Sequence, residues 1–263
     1  MAKINIGIIP DSHVKPGISV ERFKWAARWF AEKQCDVIVE LGDLADMESL
    51  SSYDIGKKSF EGRSYQADVR AANSAREEFD NSIKAINKGR KSRHKALFTP
   101  QKIALGGNHD EGRISRVLED DRKLIGTIGI DDFNYKQLGW RYIPYREYVE
   151  IAGFTFCHYF TSGVMGRPIS GETPALSIIR KQFTSCVAGH LHLWDISSRT
   201  RPDGSRIWGL VAGCFLAEDQ HEDYAHQANK LWWKGLTVLK GCEAGDFESL
   251  ETIGVKNLRE QYA

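Results

Sequence analysis

Residues 103–110 have the sequence IALGGNHD, which is more informative about the fold than any other segment of the chain. Three apolar residues are typical of a buried β-strand, and two glycines lead from them directly into Asn108, His109 and Asp110. Oxygen and nitrogen ligands from such side chains suit first-row transition metals. The segment therefore predicts a strand whose carboxyl end carries a metal-binding or catalytic loop.

Four further apolar runs end in the same way. They lead into DSH at residues 11–13, GD at 42–43, His158, and GHLH at 189–192. In α/β sheets the carboxyl ends of strands converge on one crevice, and residues two apart in an extended segment point the same way. One Asp-x-His or Gly-Asp alone more often forms a turn, but five such transitions in one chain predict a metal site.

The alternation of short apolar runs with amphipathic segments is typical of a layered α/β fold. Strands are predicted at residues 4–10, 36–41, 102–105, 148–151, 154–158, 185–188, near 207–215 and at 236–239. Helices are predicted at 21–33, about 65–88, 114–124 and about 174–182. We interpret the chain as a single domain, 1–263, with a helical insertion at about 46–101.

The composition is that of an ordinary globular protein, with 263 residues, 41% hydrophobic and 27% charged. No apolar run approaches the ~18–20 residues that span a bilayer, and the amino-terminal apolar run is too short for a secretory signal. Five cysteines, an odd number without CxxC spacing, favour free thiols. We therefore expect a cytoplasmic protein.

The ordered motifs resemble those of the calcineurin-like metallophosphoesterase superfamily. Its pattern of Asp-x-His, Gly-Asp, Gly-Asn-His-Asp/Glu, His and Gly-His-x-His is complete here between Asp11 and His192. The resemblance implies a four-layer α/β/β/α sandwich of two mixed sheets, with two metal ions at its rim. It also implies hydrolysis of a phosphoester.

The resemblance further implies a role for each motif residue. The first metal would be bound by Asp11, His13 and His192. The second would be bound by Asn108, His158 and His190, and Asp43 would bridge the two. His109 would be the catalytic histidine on the substrate side, and Asp110 its orienting partner.

The ligand types limit the choice of metal. Carboxylate, amide oxygen and imidazole without thiolate suit Mn²⁺, Fe, Zn²⁺ or Ni²⁺, and we take Mn²⁺ as the first expectation. Two ions roughly 3.5–4 Å apart can activate a hydroxide and neutralise charge on phosphate oxygens. The expected cofactor is therefore a pair of divalent transition-metal ions.

The absence of one motif narrows the range of possible substrates. The Arg-Gly-Asp-x-Val-Asp-Arg-Gly stretch of the Ser/Thr protein phosphatases is replaced by GDLAD at residues 42–46. This favours a phosphodiesterase or nuclease acting on nucleic acid or a nucleotide. The alternatives are a phosphomonoesterase or pyrophosphohydrolase on a small molecule, and an inactive binding protein of the same fold. The presence of all seven ligands and of His109 argues against the last.

Candidate substrate-binding residues are basic. Residues 56–102 contain twelve Lys or Arg against five Asp or Glu, and Arg90, Lys91 and Arg93 lie in the densest part. Since the insertion leaves and rejoins the core between two motifs, we expect these cations near the rim of the site, where they would hold a DNA or RNA backbone. The alternative is that these cations form the solvated face of a helix.

Two further candidates lie outside the insertion. Arg167 could hold a phosphate, and the pair Trp232–Trp233 could stack on a base or pack in the core.

Overall fold

The computed structural model describes residues 2–53 and 55–263. The elements follow in chain order: β1 (Ile4–Ile9), α1 (Arg22–Glu32), β2 (Val37–Glu40), α2 (Tyr65–Ser92), β3 (Gln101–Leu105), α3 (Glu111–Asp120), β4 (Arg141–Ile143), β5 (Val149–Ile151), β6 (Phe154–Cys157), β7 (Thr161–Ser162), β8 (Arg167–Pro168), α4 (Pro174–Gln182), β9 (Ser185–Ala188), β10 (Trp194–Thr200), β11 (Arg206–Ala212), β12 (Gly235–Cys242), β13 (Ser249–Gly254) and α5 (Val255–Tyr262).

The strands form two large mixed sheets. The first has the order β13-β12-β1-β2-β3-β4, in which β1 to β4 are parallel and β12 and β13 are antiparallel to their neighbours. The second has the order β10-β11-β9-β6-β5, with β6, β9 and β11 parallel. The carboxyl ends of the parallel strands carry the polar motifs, so the topology itself places the site.

The two sheets pack face to face, and helices cover their outer faces. Alternate residues of β1 and β2, such as Ile8 and Val39, lie in the same apolar cluster as Phe156 of β6. A second cluster lies between the first sheet and α1, α2 and α5, and a third joins α4 to the second sheet. The fold is thus the expected four-layer α/β/β/α sandwich.

Helix α2 is held to the first sheet by a buried ion pair. It has 28 residues and packs an apolar stripe that includes Phe79 and Ile83 against the core. Halfway along, Arg76 Nη2 lies 2.9 Å and 3.1 Å from the two carboxylate oxygens of Glu40, the last residue of β2. The guanidinium also lies 3.5 Å from the centroid of the Tyr135 ring. This contact fixes the helix against the end of a motif-bearing strand.

The differences from the predicted elements have local causes. Helix α3 begins at Glu111, three residues before the predicted start, because the Asp110 carboxylate accepts a hydrogen bond from the Glu111 N–H and caps it. Strand β13 and helix α5 were not predicted, since β13 is a half-exposed edge strand without apolar alternation. None of the helices described is both long and apolar enough to cross a bilayer. The interpretation as one domain with an insertion at about 46–101 stays a prediction.

Candidate metal centre

Five loops bring the motif residues together. The loops follow β1, β2 and β3 of the first sheet and β6 and β9 of the second, each at the carboxyl end of a parallel strand. Within these loops three groups of three side chains have their ligand atoms within 4.8 Å of one another: Asp11–His13–His192, Asp43–His158–His190 and His13–Asp46–His109. Because the two sheets are packed face to face, the loops of both converge at one rim of the sandwich.

The first group consists of Asp11, His13 and His192. The Nε2 atom of His192 lies 3.2 Å from Asp11 Oδ2 and 3.2 Å from His13 Nε2. Within the described chain, Asp11 Oδ1 is buried and has no hydrogen-bond partner. A buried carboxylate that has one oxygen without a donor and lies close to two imidazole rings fits a cation.

The second group consists of Asp43, His158 and His190. His158 Nε2 lies 3.3 Å from Asp43 Oδ2, and Asn108 Oδ1 lies 2.8 Å from both His158 Nε2 and His190 Nδ1. The same Asp43 oxygen is 3.7 Å from His13 Nε2 of the first group. Asp43 therefore lies between the two groups, as a bridging ligand would.

One candidate ligand, His158, has its tautomer set by the backbone. The Nδ1 atom of His158 lies 2.8 Å from the Leu41 carbonyl oxygen, so Nδ1–H donates to that oxygen. The lone pair of a neutral ring is then on Nε2, which faces Asp43 and Asn108. Such an outer hydrogen bond orients a metal-binding imidazole and makes it more basic.

Glycines and unusual backbone angles make room for the ligands. A Cβ atom added to Gly107 would overlap the Asp43 carboxylate, and one added to Gly189 would overlap the Asp11 carboxylate. Four candidate ligands have positive φ angles, namely His13 (41°), Asp43 (51°), His190 (70°) and His192 (58°). Non-glycine residues in this region cost of order 1–3 kcal/mol each and cluster at functional sites.

Burial and neighbouring charges together set the pKa values of the buried groups. Burial raises the pKa of Asp43, but the nearby His158 and then His109 outweigh it and hold that pKa well below its usual range. Burial, followed by the charge of His158, lowers the pKa of His190 to about 4. At neutral pH the site thus offers an anionic bridging carboxylate and at least one neutral imidazole, the forms in which these groups bind metals.

The carboxylate beside His109 is Asp46, which was not predicted. Its Oδ1 lies 2.6 Å from His109 Nδ1 and 3.3 Å from His13 Nδ1. Asp46 is held by Arg113 at 3.5 Å and by Lys15 at 3.6 Å. The Lys15 ammonium also lies 3.1 Å from Glu48 and 3.0 Å from Glu222, so the acidic group Asp46, Glu48 and Glu222 already holds a lysine cation.

The role expected for Asp110 as partner of His109 is corrected by the structure. Its Oδ1 accepts hydrogen bonds from the N–H groups of Gly107 (2.6 Å) and Glu111 (2.7 Å), and its Oδ2 accepts from Leu44 N–H (3.2 Å). Asp110 therefore shapes two of the ligand loops. Burial, followed by the charge of Asp43, raises the pKa of Asp110 to about 7.

The expected position of the insertion cations at the rim is also wrong. Arg90 donates 2.8 Å and 3.3 Å hydrogen bonds to the carbonyl oxygens of Ala31 and Ala96, and Arg93 donates to Gly89. Ala31 is at the end of α1, next to the amino ends of the strands. A segment from the carboxyl end of β2 to the amino end of β3 must cross the sheet, and α2 extends about 42 Å in doing so. The amino ends of the strands, opposite the candidate ligands, are therefore where the three cations lie: Arg90, Lys91 and Arg93.

The structure also gives the positions of the other candidate substrate-binding residues. Arg167 is exposed in the hairpin β7–β8, which begins three residues after His158, and its side chain forms no ion pair within residues 2–53 and 55–263. The two tryptophans differ: the Trp232 ring lies 4.2 Å from that of His192, whereas Trp233 packs on Trp194 at 6.1 Å. Trp232 thus borders the first candidate ligand group, and the half-buried Trp233 packs against another aromatic ring.

Comparison with known proteins gives matches among solved structures only. No protein-family model and no curated protein matches the chain. Among solved structures, YfcE, a phosphoesterase from E. coli, is 12% identical with a TM-score of 0.36, covering 96% of this chain and 100% of that one. TT1561 of Thermus thermophilus is 11% identical with a TM-score of 0.33, covering 96% and 99%. Because both TM-scores are below 0.5, the function of this chain is inferred from the site residues alone.

Proposed function

We propose that this chain is a metal-dependent phosphoester hydrolase that holds two divalent ions. The observation that carries the proposal is the pair of ligand groups, Asp11–His13–His192 and Asp43–His158–His190, with Asp43 between them and Asn108 on the second. When bound, two such ions polarise phosphate oxygens and supply a nucleophile at neutral pH. Mn²⁺ is the proposed metal, with Fe, Zn²⁺ and Ni²⁺ as alternatives, because the ligands are carboxylate, amide and imidazole.

The side chains around the ions have separate tasks. His109 is 13% exposed and its ring lies 4.4 Å from that of His13, so it faces the place where a bound phosphate would lie. With Nδ1 against Asp46, a protonated ring would present Nε2–H to the substrate. His109 would thus protonate the leaving oxygen or stabilise charge on the phosphoryl group, and Asp46 would hold its ring in place.

The reaction proposed is hydrolysis of a phosphodiester, and the substrate class is a nucleotide or nucleic acid. The GDLAD sequence supports this choice over a protein phosphatase. Hydrolysis of a monoester or pyrophosphate of a small molecule is the second candidate. The completeness of the ligand set supports an active enzyme over an inactive binding protein.

The test is an assay of metal-reconstituted protein against bis-p-nitrophenyl phosphate, p-nitrophenyl phosphate, and labelled DNA and RNA. We expect Mn²⁺-dependent hydrolysis of the diester, loss of activity with excess EDTA, and recovery on adding Mn²⁺. Hydrolysis of the monoester alone would support the second candidate. Full activity in EDTA with no metal detected by elemental analysis would overturn the proposal.

A further inference from the structure

An open cleft of about 850 Å³ extends from the candidate metal centre along α3. Asn108 and His109 form its inner end, and three arginines line its walls: Arg113, Arg116 and Arg146. A volume in the range of ligand pockets, ~300–1,000 Å³, exceeds what a single phosphate needs. The cleft therefore has room for the part of the substrate that does not react.

The three arginines differ in what already binds them. Arg113 donates to the carbonyl oxygens of Asp46 (2.6 Å) and Met47 (3.2 Å), so it is part of the loop that carries Asp46. Arg116 is exposed, and in residues 2–53 and 55–263 no carboxylate pairs with it. Arg116 is therefore available to an anion, whereas Arg113 is committed to the site.

Arg146 is aimed at the cleft by its own backbone. It has a φ angle of 70°, in the left-handed region that non-glycine residues seldom adopt. Its guanidinium lies 5.1 Å from the centroid of the Tyr145 ring, and the hydroxyls of Tyr159 and Tyr145 raise its pKa. The Tyr145 and Tyr159 hydroxyls are 2.9 Å apart, and the Tyr159 ring lies 5.0 Å from His190. The position of Arg146 is thereby tied to a metal ligand.

The spacing separates these cations from the reacting phosphate. Arg116 is five residues into α3, about 7.5 Å along its axis from Glu111, which directly follows the site loop. Further along, Glu119 and Asp120 line the outer end of the cleft. Glu111, at the inner end, is occupied as acceptor for Tyr142 OH (2.6 Å) and Tyr145 N–H (2.5 Å). The cleft thus has one cationic zone followed by an acidic end, which suits one further phosphate better than a long polyanion.

We propose that Arg116 and Arg146 form a subsite for a second, non-reacting phosphate of the substrate, so that the enzyme favours a nucleotide carrying two phosphates. This rests on the proposed function and narrows its substrate class. Arginine binds phosphate oxygens through two parallel N–H donors. Tyr53, 80% exposed at the cleft, offers a face on which a base can stack.

The kinetic test uses the p-nitrophenyl ester of thymidine 5′-monophosphate with and without a 3′-phosphate. The measured quantity is the ratio of kcat/KM for the two esters. We expect the parent to prefer the 3′-phosphorylated ester, and R116A or R146A to lower that preference about tenfold. R180A, which removes an exposed arginine of α4, is the matched control. A preference unchanged in R116A and R146A, or lowered as much in R180A, overturns the subsite.

A binding test can decide the phosphate subsite independently of the proposed hydrolytic function. Calorimetry on Mn²⁺-loaded protein compares thymidine 3′,5′-bisphosphate, thymidine 5′-diphosphate and thymidine 5′-monophosphate. Tighter binding of either two-phosphate ligand than of the monophosphate, lost in R116A and R146A, supports the subsite, and the tighter of the two identifies where the second phosphate is attached. Equal affinity for all three overturns it. If neither ester is hydrolysed, the proposed function fails while the calorimetry still decides the subsite.

Discussion

At the scale of single residues, Asp43 connects the two ligand groups. We predict that Asp43→Ala loses most of its bound metal and falls to near-background turnover, because one substitution removes a ligand from both ions. The measurements are metal content by elemental analysis and kcat on bis-p-nitrophenyl phosphate. Asp131→Ala, at an exposed aspartate far from the motifs in sequence, serves as the control. Near-normal metal content in Asp43→Ala would exclude the bridging assignment.

His109 should separate chemistry from metal binding. We predict that His109→Ala keeps the parent's metal content and slows turnover by ~10²–10⁴-fold, the usual contribution of a positioned acid or base. The loss should be smaller for substrates with p-nitrophenolate as leaving group, since this group needs little protonation. Asp46→Asn should resemble it more weakly, because its oxygen is 2.6 Å from His109 Nδ1. Loss of metal from His109→Ala would instead make His109 a ligand.

The convergence of the candidate ligands could be predicted from sequence, whereas their partners could not. Each motif follows an apolar run, so the topology alone brings its residues to the rim. Asp46 carries only a faint signal, its position three residues after Asp43, and its contact with His109 joins residues 63 apart. Arg146 carries no sequence signal, because its direction depends on a backbone angle and on two tyrosines. Asp110 was misassigned since adjacency in sequence does not determine where a side chain points.

At the scale of elements, the buried pair of Glu40 and Arg76 fixes α2 to the first sheet. We predict that Arg76→Met lowers the free energy of unfolding by about 3–5 kcal/mol, because an unpaired carboxylate is left buried. Urea unfolding measures this change. The double variant Glu40→Leu/Arg76→Met should recover much of the loss, since apolar groups can replace a buried ion pair. A single variant as stable as the parent would show that the pair does not anchor the helix.

The cations at the far end of α2 should affect stability more than substrate binding. We predict that converting Arg90, Lys91 and Arg93 to Glu lowers the melting temperature, because Arg90 no longer donates to the Ala31 carbonyl at the end of α1. The affinity for single-stranded DNA, measured by fluorescence anisotropy over a salt series, should match that of the parent. A strong, salt-dependent loss of affinity would restore the nucleic-acid role first expected from their number.

Most elements could be predicted because hydrophobic periodicity determines them locally. Helix α4 and strand β9 have the predicted bounds. Hydrophobic periodicity does not predict the path that the chain takes between elements. The insertion returns at the amino end of β3, so the charge-dense residues near 90 lie a full strand length from the loop after Asp43. Strand β13 depends on pairing with β12 rather than on its own pattern.

At the scale of the whole molecule, the candidate metal centre contains residues from loops of both sheets. We predict that Mn²⁺ at about a hundredfold excess over its Kd stabilises the protein by about 2.7 kcal/mol for each site filled. For a chain of this size the melting temperature should rise by roughly 5–10 °C per site. Scanning calorimetry with and without EDTA measures the shift, and Asp43→Ala should show little of it. An equal melting temperature in EDTA and Mn²⁺ would argue against ions between the sheets.

The left-handed backbone at His13, Asp43, His190 and His192 bears on how the chain acquires its final form. The strands carry apolar residues that the two sheets can bury without any ion, whereas three of the five motif loops adopt an unfavourable conformation. During folding the sandwich should therefore assemble first and the loops should become ordered last. Amide protons in these loops would exchange quickly in the apo protein and slowly once metal is bound, so that metal uptake forms the closing step of maturation.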